Sequence, residues 1–150
     1  MPLSKITVSA LLLDKNSSIY TVPVGAMVAD AVDVMNRHRV GSVIVKDGEK
    51  SVGIFTERDV LTRLVSAGLD SKQTPVRDLM TSQFQFVQED DSIEDAMQLM
   101  TEKRVRHLPV FRKRNLIGMI SIGDLTSWLL KANRMEAENL RRYVFSDYPG

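Results

Sequence analysis

Two short segments hold the residue types from which a binding chemistry could be built: Gly53-Ile54-Phe55-Thr56-Glu57-Arg58-Asp59 and Gly118-Met119-Ile120-Ser121-Ile122-Gly123-Asp124. In each, an apolar run meets a hydroxyl residue and, three positions later, an aspartate. One chemistry open to that spacing is local: Thr or Ser at a helix N-cap with an acid at N3 satisfies orphan amides and suits the helix dipole. The other is recognition. A carboxylate can accept bonds from both hydroxyls of a ribose, helix N-terminal amides favour phosphate, and Arg58 could add a charge-assisted bond. Spacing alone does not separate the two.

The elements that must position these corners come twice. Shifted by 65 positions, the chain reads onto itself without a gap from about Ile19 to Leu64. Asp30-Ala31 falls on Asp95-Ala96, Met35 on Met100, Arg39-Val40 on Arg104-Val105, Val45 on Val110, Gly53 on Gly118 and Asp59 on Asp124. Nearer the start the offset is 68, Val8-Ser9-Ala10-Leu11 meeting Val76-Arg77-Asp78-Leu79, which places three extra residues in the polar loop Asp14 to Ser18. A gapless self-match of this length is a duplication.

Each copy reads as β-α-β-β-α, so the fold class is α/β with tandem repeats. Short strands are expected at Ile19 to Val22 and Phe84 to Val87. Helices follow, with Val28, Ala31, Val32, Met35 and Ile93, Ala96, Met97, Met100 at helical spacing. The hairpins run from Ser42 to Val45 and from Val52 to Phe55 in one copy, and from Leu108 to Phe111 and from Leu116 to Ile120 in the other. A second helix is expected from Glu57 to Gly68, and its counterpart from Ile122 past Ala132. Asp90-Asp91 reads as capping. The units span 7–69 and 75–132, joined by the polar linker Asp70 to Pro75, and 133–150 reads as a charged helical tail with aromatic residues at its end. One unit of about 60 residues buries too little surface to be comfortably stable alone, so the two should pack on each other.

Composition narrows the function. Twenty Lys+Arg against nineteen Asp+Glu give a net charge of +1, too little to drive non-specific nucleic-acid binding. No cysteine is present, which excludes disulfides, thiolate metal sites and cysteine nucleophiles. Two histidines offer no convincing metal constellation. No apolar run is long enough for a membrane span, and no secretory signal is evident; a cytoplasmic location is expected. Nucleophile elbows and Walker loops are absent.

The Gly-x-x-Thr/Ser-x-x-Asp corner, placed twice at the end of a β-α-β-β-α unit, resembles the cystathionine β-synthase (CBS) domain pair, or Bateman module. Arg104-Val105-Arg106-His107-Leu108-Pro109-Val110 and Val76-Arg77-Asp78-Leu79-Met80-Thr81 match segments typical of that family. The likeness runs from about Thr7 to Ala132 and is to the stand-alone members. It implies a pseudo-two-fold module and a regulatory sensor that is not an enzyme and requires no cofactor. Its ligand would be an adenine nucleotide: AMP first, then ADP, ATP or NAD, with S-adenosylmethionine in some members. By the resemblance, Thr56 with Asp59, and Ser121 with Asp124, would hold ribose in two clefts. Arg106 and His107 would reach a phosphate, and Met80 and Thr81 would line a base pocket.

The copies differ where it matters. Arg58 is replaced by Gly123, and Gly41-Ser42 stand where the other copy has Arg106-His107. The two clefts should therefore differ in affinity or ligand. His107 is open to a phosphate contact, a titrating switch near neutral pH, or a plain surface position on a strand. Trp128 lies on the helix that the family uses for pair-to-pair contact, which suits a homodimer, although core packing also explains it. Two further readings compete: a structural dimerisation module with empty clefts, and a nucleotide-processing enzyme, which lacks a candidate nucleophile or acid–base pair.

Overall fold

The computed structural model describes residues 5–14, 19–132 and 134. The tail beyond these, and most of the polar loop that carries the insertion, lie outside the described residues.

The repeat is visible as hydrogen-bond register. β1 (Thr21–Pro23) runs parallel to β2 (Ser42–Asp47), which turns back antiparallel into β3 (Lys50–Thr56), pairing Val22 with Val45 and Val45 with Gly53. In the second sheet β4 (Val87–Gln88), β5 (His107–Arg112) and β6 (Asn115–Ser121) repeat this, pairing Val87 with Val110 and Val110 with Gly118. Both hairpins carry a bulge at one place, after Val45 and after Val110. Their turns are tighter than the sequence suggests, two residues each. Gly48 and Lys113 supply the positive φ that such a turn needs, at 63° and 57°.

Helices α2 (Val28–His38) and α5 (Ile93–Lys103) bury the faces their spacing predicts: Val28, Ala31 and Met35, and Ile93, Ala96 and Met100. Ser92 Oγ caps α5 by accepting from the Asp95 amide at 3.0 Å, and Asp30 Oδ2 accepts from the Met27 amide at 3.0 Å ahead of α2. Both helices stop on an arginine in the left-handed region, Arg39 at φ 53° and Arg104 at φ 54°. The next amides, of Val40 and Val105, return to Met35 O and Met100 O at 3.0 and 3.1 Å, a Schellman-type closure.

The short helices are exchanged between the units. α1 (Val8–Asp14) sits in the second core, where Ile6, Val8 and Leu11 pack with Val87, Ile93 and Leu108. α4 (Val76–Leu79) sits in the first, where Val76 and Leu79 pack with Val28, Val43 and Phe55. Matching hydrogen bonds fix the exchange: Val8 N to Asp91 O and Ile93 N to Ile6 O at 2.8 Å on one side, Val76 N to Ala26 O at 2.9 Å and Val28 N to Thr74 O at 2.8 Å on the other. Each sheet clears a space for its visitor with a glycine. A Cβ on Gly53 would run into the Met80 side chain, and one on Gly118 would meet Leu12 Cδ2 at 2.8 Å. Neither core is complete without the other half of the chain.

Several expectations need correction. The first strand of each unit is shorter and later than predicted, Thr21–Pro23 and Val87–Gln88; in the second unit Phe84 and Phe86 lie against the Phe111 ring, with centroids at 6.5 and 5.4 Å. The helix expected from Glu57 to Gly68 begins as α3 (Glu57–Asp59) and widens into a π-helix over Val60–Val65, where the Thr62 hydroxyl occupies Arg58 O at 2.8 Å. Gly68 does take the positive φ, 67°, that ends it. Asp91 does not cap α5; its Oδ2 accepts from Gln88 N at 2.8 Å and closes the turn before the helix. The last helix, α6, covers 122–132. Its Trp128 packs on the second core.

Candidate functional site

The corner where β3 becomes α3 is tied together by its own residues. Asp59 Oδ2 accepts from the Thr56 amide at 2.9 Å and from the Thr56 hydroxyl at 3.2 Å, and the Asp59 amide returns to Thr56 Oγ1 at 3.4 Å. The second corner repeats the motif, with Ser121 N to Asp124 Oδ2 at 2.8 Å and Asp124 N to Ser121 Oγ at 3.1 Å. Capping is thus real in both copies. One expectation fails here. The first helical amides, Glu57 N and Ile122 N, are spent on Gly41 O at 3.0 Å and Arg106 O at 2.8 Å, so they do not point at an anion.

Capping does not close off the first corner. Asp59, 7% exposed, lies on the wall of a cavity of about 690 Å³, within the size range of small-molecule sites. Three pieces of chain form it. The first unit gives Ile54 and the Thr56 to Asp59 corner, the segment after α4 gives Thr81 and Phe84, and the second unit gives Lys103 to His107. Thr81 is pinned there by paired backbone bonds with Ile54, both 2.9 Å. Phe84 is braced from behind by the stacked Phe111 ring.

Charge is concentrated in this space. Arg58, Arg63, Lys103, Arg104 and Arg106 surround it, against the two carboxylates Glu57 and Asp59. Two of these cations are committed to the protein. Arg58 Nη1 donates to Arg104 O at 2.8 Å, which links the two units. Arg63 Nη1 donates to Leu79 O at 2.9 Å and Met80 O at 3.3 Å, while its Nε faces Asp59 Oδ1 at 3.6 Å. One guanidinium therefore holds both the aspartate and the end of α4. Arg63 was legible as an i,i+4 partner of Asp59, yet the motif draws attention only to the aspartate.

Of the residues singled out in the sequence, the cavity gathers Thr56, Arg58, Asp59, Thr81, Arg106 and His107. It does not gather the rest. Met80 turns instead to Gly53 and the first core. Ser42 is buried at the start of β2, paired with Thr56. Gly41 stands at the junction of the units, where an added Cβ would lie 3.1 Å from both Glu57 Oε1 and His107 Nε2. Ser121, Gly123 and Asp124 form the other corner, whose wall equivalent to Gln83–Gln85 falls at 18–20, with 18 outside the described residues.

Known proteins share this fold. The family model of the CBS domain matches residues 9–66 and 76–131. A mitochondrial CBS domain-containing protein of Arabidopsis thaliana is 41% identical over 126 residues, 81% of this chain and 61% of that relative, so the match spans less than two thirds of the relative's length. A solved CBS-domain protein from Burkholderia ambifaria is 40% identical with a TM-score of 0.81, covering 83% of this chain and 94% of the other. A CBS domain protein of Pyrobaculum aerophilum, solved in complex with AMP, is 25% identical with a TM-score of 0.71, covering 79% and 89%.

Proposed function

Because the chain belongs to the CBS-domain family, as a pair of such units, we propose that it is a regulatory protein that binds an adenine nucleotide at the Thr56–Asp59 corner. The observation that carries this reading is the cavity in which a buried, pre-positioned aspartate of one unit faces a cationic wall from the other. In this reading Asp59 and Thr56 take the ribose hydroxyls. Ile54, Thr81 and the face of Phe84 border the base, and Arg106 with His107 approaches phosphate. The AMP complex of the Pyrobaculum relative supports an adenine ligand.

Ligand held between the units gives a signal by a simple route. It contacts both, so it favours whichever relative arrangement lets both walls reach it, and the population shifts accordingly. Binding rather than turnover is part of the proposal, as is a cytoplasmic setting. A homodimer is too: Leu61, Val65 and Leu130 leave an apolar face exposed on the helices that follow the two corners.

Thermal denaturation with and without AMP, ADP, ATP and NAD tests the reading. A ligand at about a hundred times its dissociation constant should add about 2.7 kcal/mol, and Asp59→Ala should remove that gain. No gain with any of the four, or one that survives Asp59→Ala, leaves only a scaffold. Recovery of unchanged nucleotide after incubation is expected; product formation would reassign the protein as an enzyme.

A further inference from the structure

We propose that the cavity selects an adenosine di- or triphosphate over the monophosphate. The inference rests on the nucleotide reading above and concerns how much negative charge the ligand brings. Of the five cations around the space, Arg58 and Arg63 already serve backbone carbonyls. Lys103, Arg104 and Arg106 do not: all three are exposed, and they have no ion-pair or side-chain hydrogen-bond partner among the described residues. Lys103 and Arg104 end α5, where a cation is also favoured by the helix dipole. Arg106 lies beyond the helix and has no such reason to be basic.

The first repeat supplies an internal comparison. At the positions equivalent to Lys103, Arg104, Arg106 and His107 it carries His38, Arg39, Gly41 and Ser42. The same backbone, with the same left-handed arginine ending the helix, is therefore built with one permanent cation instead of three. Helix termination does not need the extra two. With Arg104 they put a row of three exposed cations on the wall of the cavity that Asp59 also lines, more positive charge than a single phosphate neutralises. Each added phosphate brings charge and acceptor oxygens for that row. NAD has two phosphates but carries less charge than ADP, so it should bind more weakly than ADP.

Isothermal titration of the full chain with adenosine, AMP, ADP, ATP, NAD and inorganic tripolyphosphate decides the matter. ADP or ATP should bind at least about tenfold tighter than AMP, the size of one charge-assisted hydrogen bond. The advantage should shrink with added salt. It should be lost in Lys103→Gln/Arg106→Gln, two exposed changes whose folding is checked by an unaltered melting curve, while AMP affinity falls less. AMP or NAD binding as tightly as ATP, in an Asp59-dependent way, would overturn the selection for charge and leave the nucleotide reading intact. Tripolyphosphate matching ATP, with Asp59→Ala indifferent, would overturn both.

Discussion

Arg63→Met is the most informative single change outside the cavity wall formed by Lys103 to His107. The guanidinium satisfies Leu79 O at 2.9 Å and Met80 O at 3.3 Å, two carbonyls left without helical partners where α4 ends. Losing the shorter bond costs about 1 kcal/mol net. The contact with Asp59 Oδ1 is longer, 3.6 Å, and the Arg63 side chain is 46% exposed, so water screens it to a few tenths of a kcal/mol. Together the loss is about 1.5 kcal/mol, which for a chain of this size lowers Tm by about 3–6 °C. The local effect should be larger than the global one. With its anchor gone, the segment after α4 should open more often, and amide exchange at Thr81, bonded to Ile54 O at 2.9 Å, should speed up more than in β2 or β5. Nucleotide affinity should fall as the Thr81 wall and the aspartate lose their common support, and Arg63→Lys should restore only part of it. Differential scanning calorimetry and hydrogen exchange read these effects. An unchanged Tm with unchanged exchange at Thr81 would refute the bridging role of Arg63.

Three other outcomes follow from packing and capping. Gly53→Val forces a side chain into the space of Met80; it should cost about 1–3 kcal/mol and lift α4, seen as a lower urea midpoint. Leu108→Ala, in the fully buried second core, should cost about 2–5 kcal/mol and loosen α1 as well as the sheet, because α1 packs there, so exchange in 8–14 should rise with it. Ser92→Ala removes the α5 cap and should cost about 1 kcal/mol with the nucleotide-induced shift in Tm preserved.

Much of the fold could be read in the residues because duplication makes a sequence test itself. The offset of 65 that aligns Val45 with Val110 and Gly53 with Gly118 is the offset of the strand register. The helices carrying Met35 and Met100 lie where apolar spacing puts them. What could not be read was which sheet each short helix would join. Periodicity marks Val8 and Leu11, or Val76 and Leu79, as one buried face, but says nothing of the partner. The exchange became visible only through contacts, where Leu12 stands to Gly118 as Met80 stands to Gly53. The candidate site divides in the same way. Thr56 and Asp59 announce themselves by spacing. Arg63, Phe84 and Lys103 come to the cavity from three separate elements, and only the folded chain joins them. The helix N-terminus looked like an anion site, yet Gly41 O already occupies its first amide.

A crystal structure of the protein grown with ATP would test most directly whether the Thr56–Asp59 corner is a sugar site. Density for the ribose within hydrogen-bonding distance of the Asp59 carboxylate, with the phosphates running toward Arg106, is the predicted result. A nucleotide seated elsewhere, or an Asp59 carboxylate still bound only to Thr56 and Arg63 beside an empty cavity at saturating ATP, would contradict it.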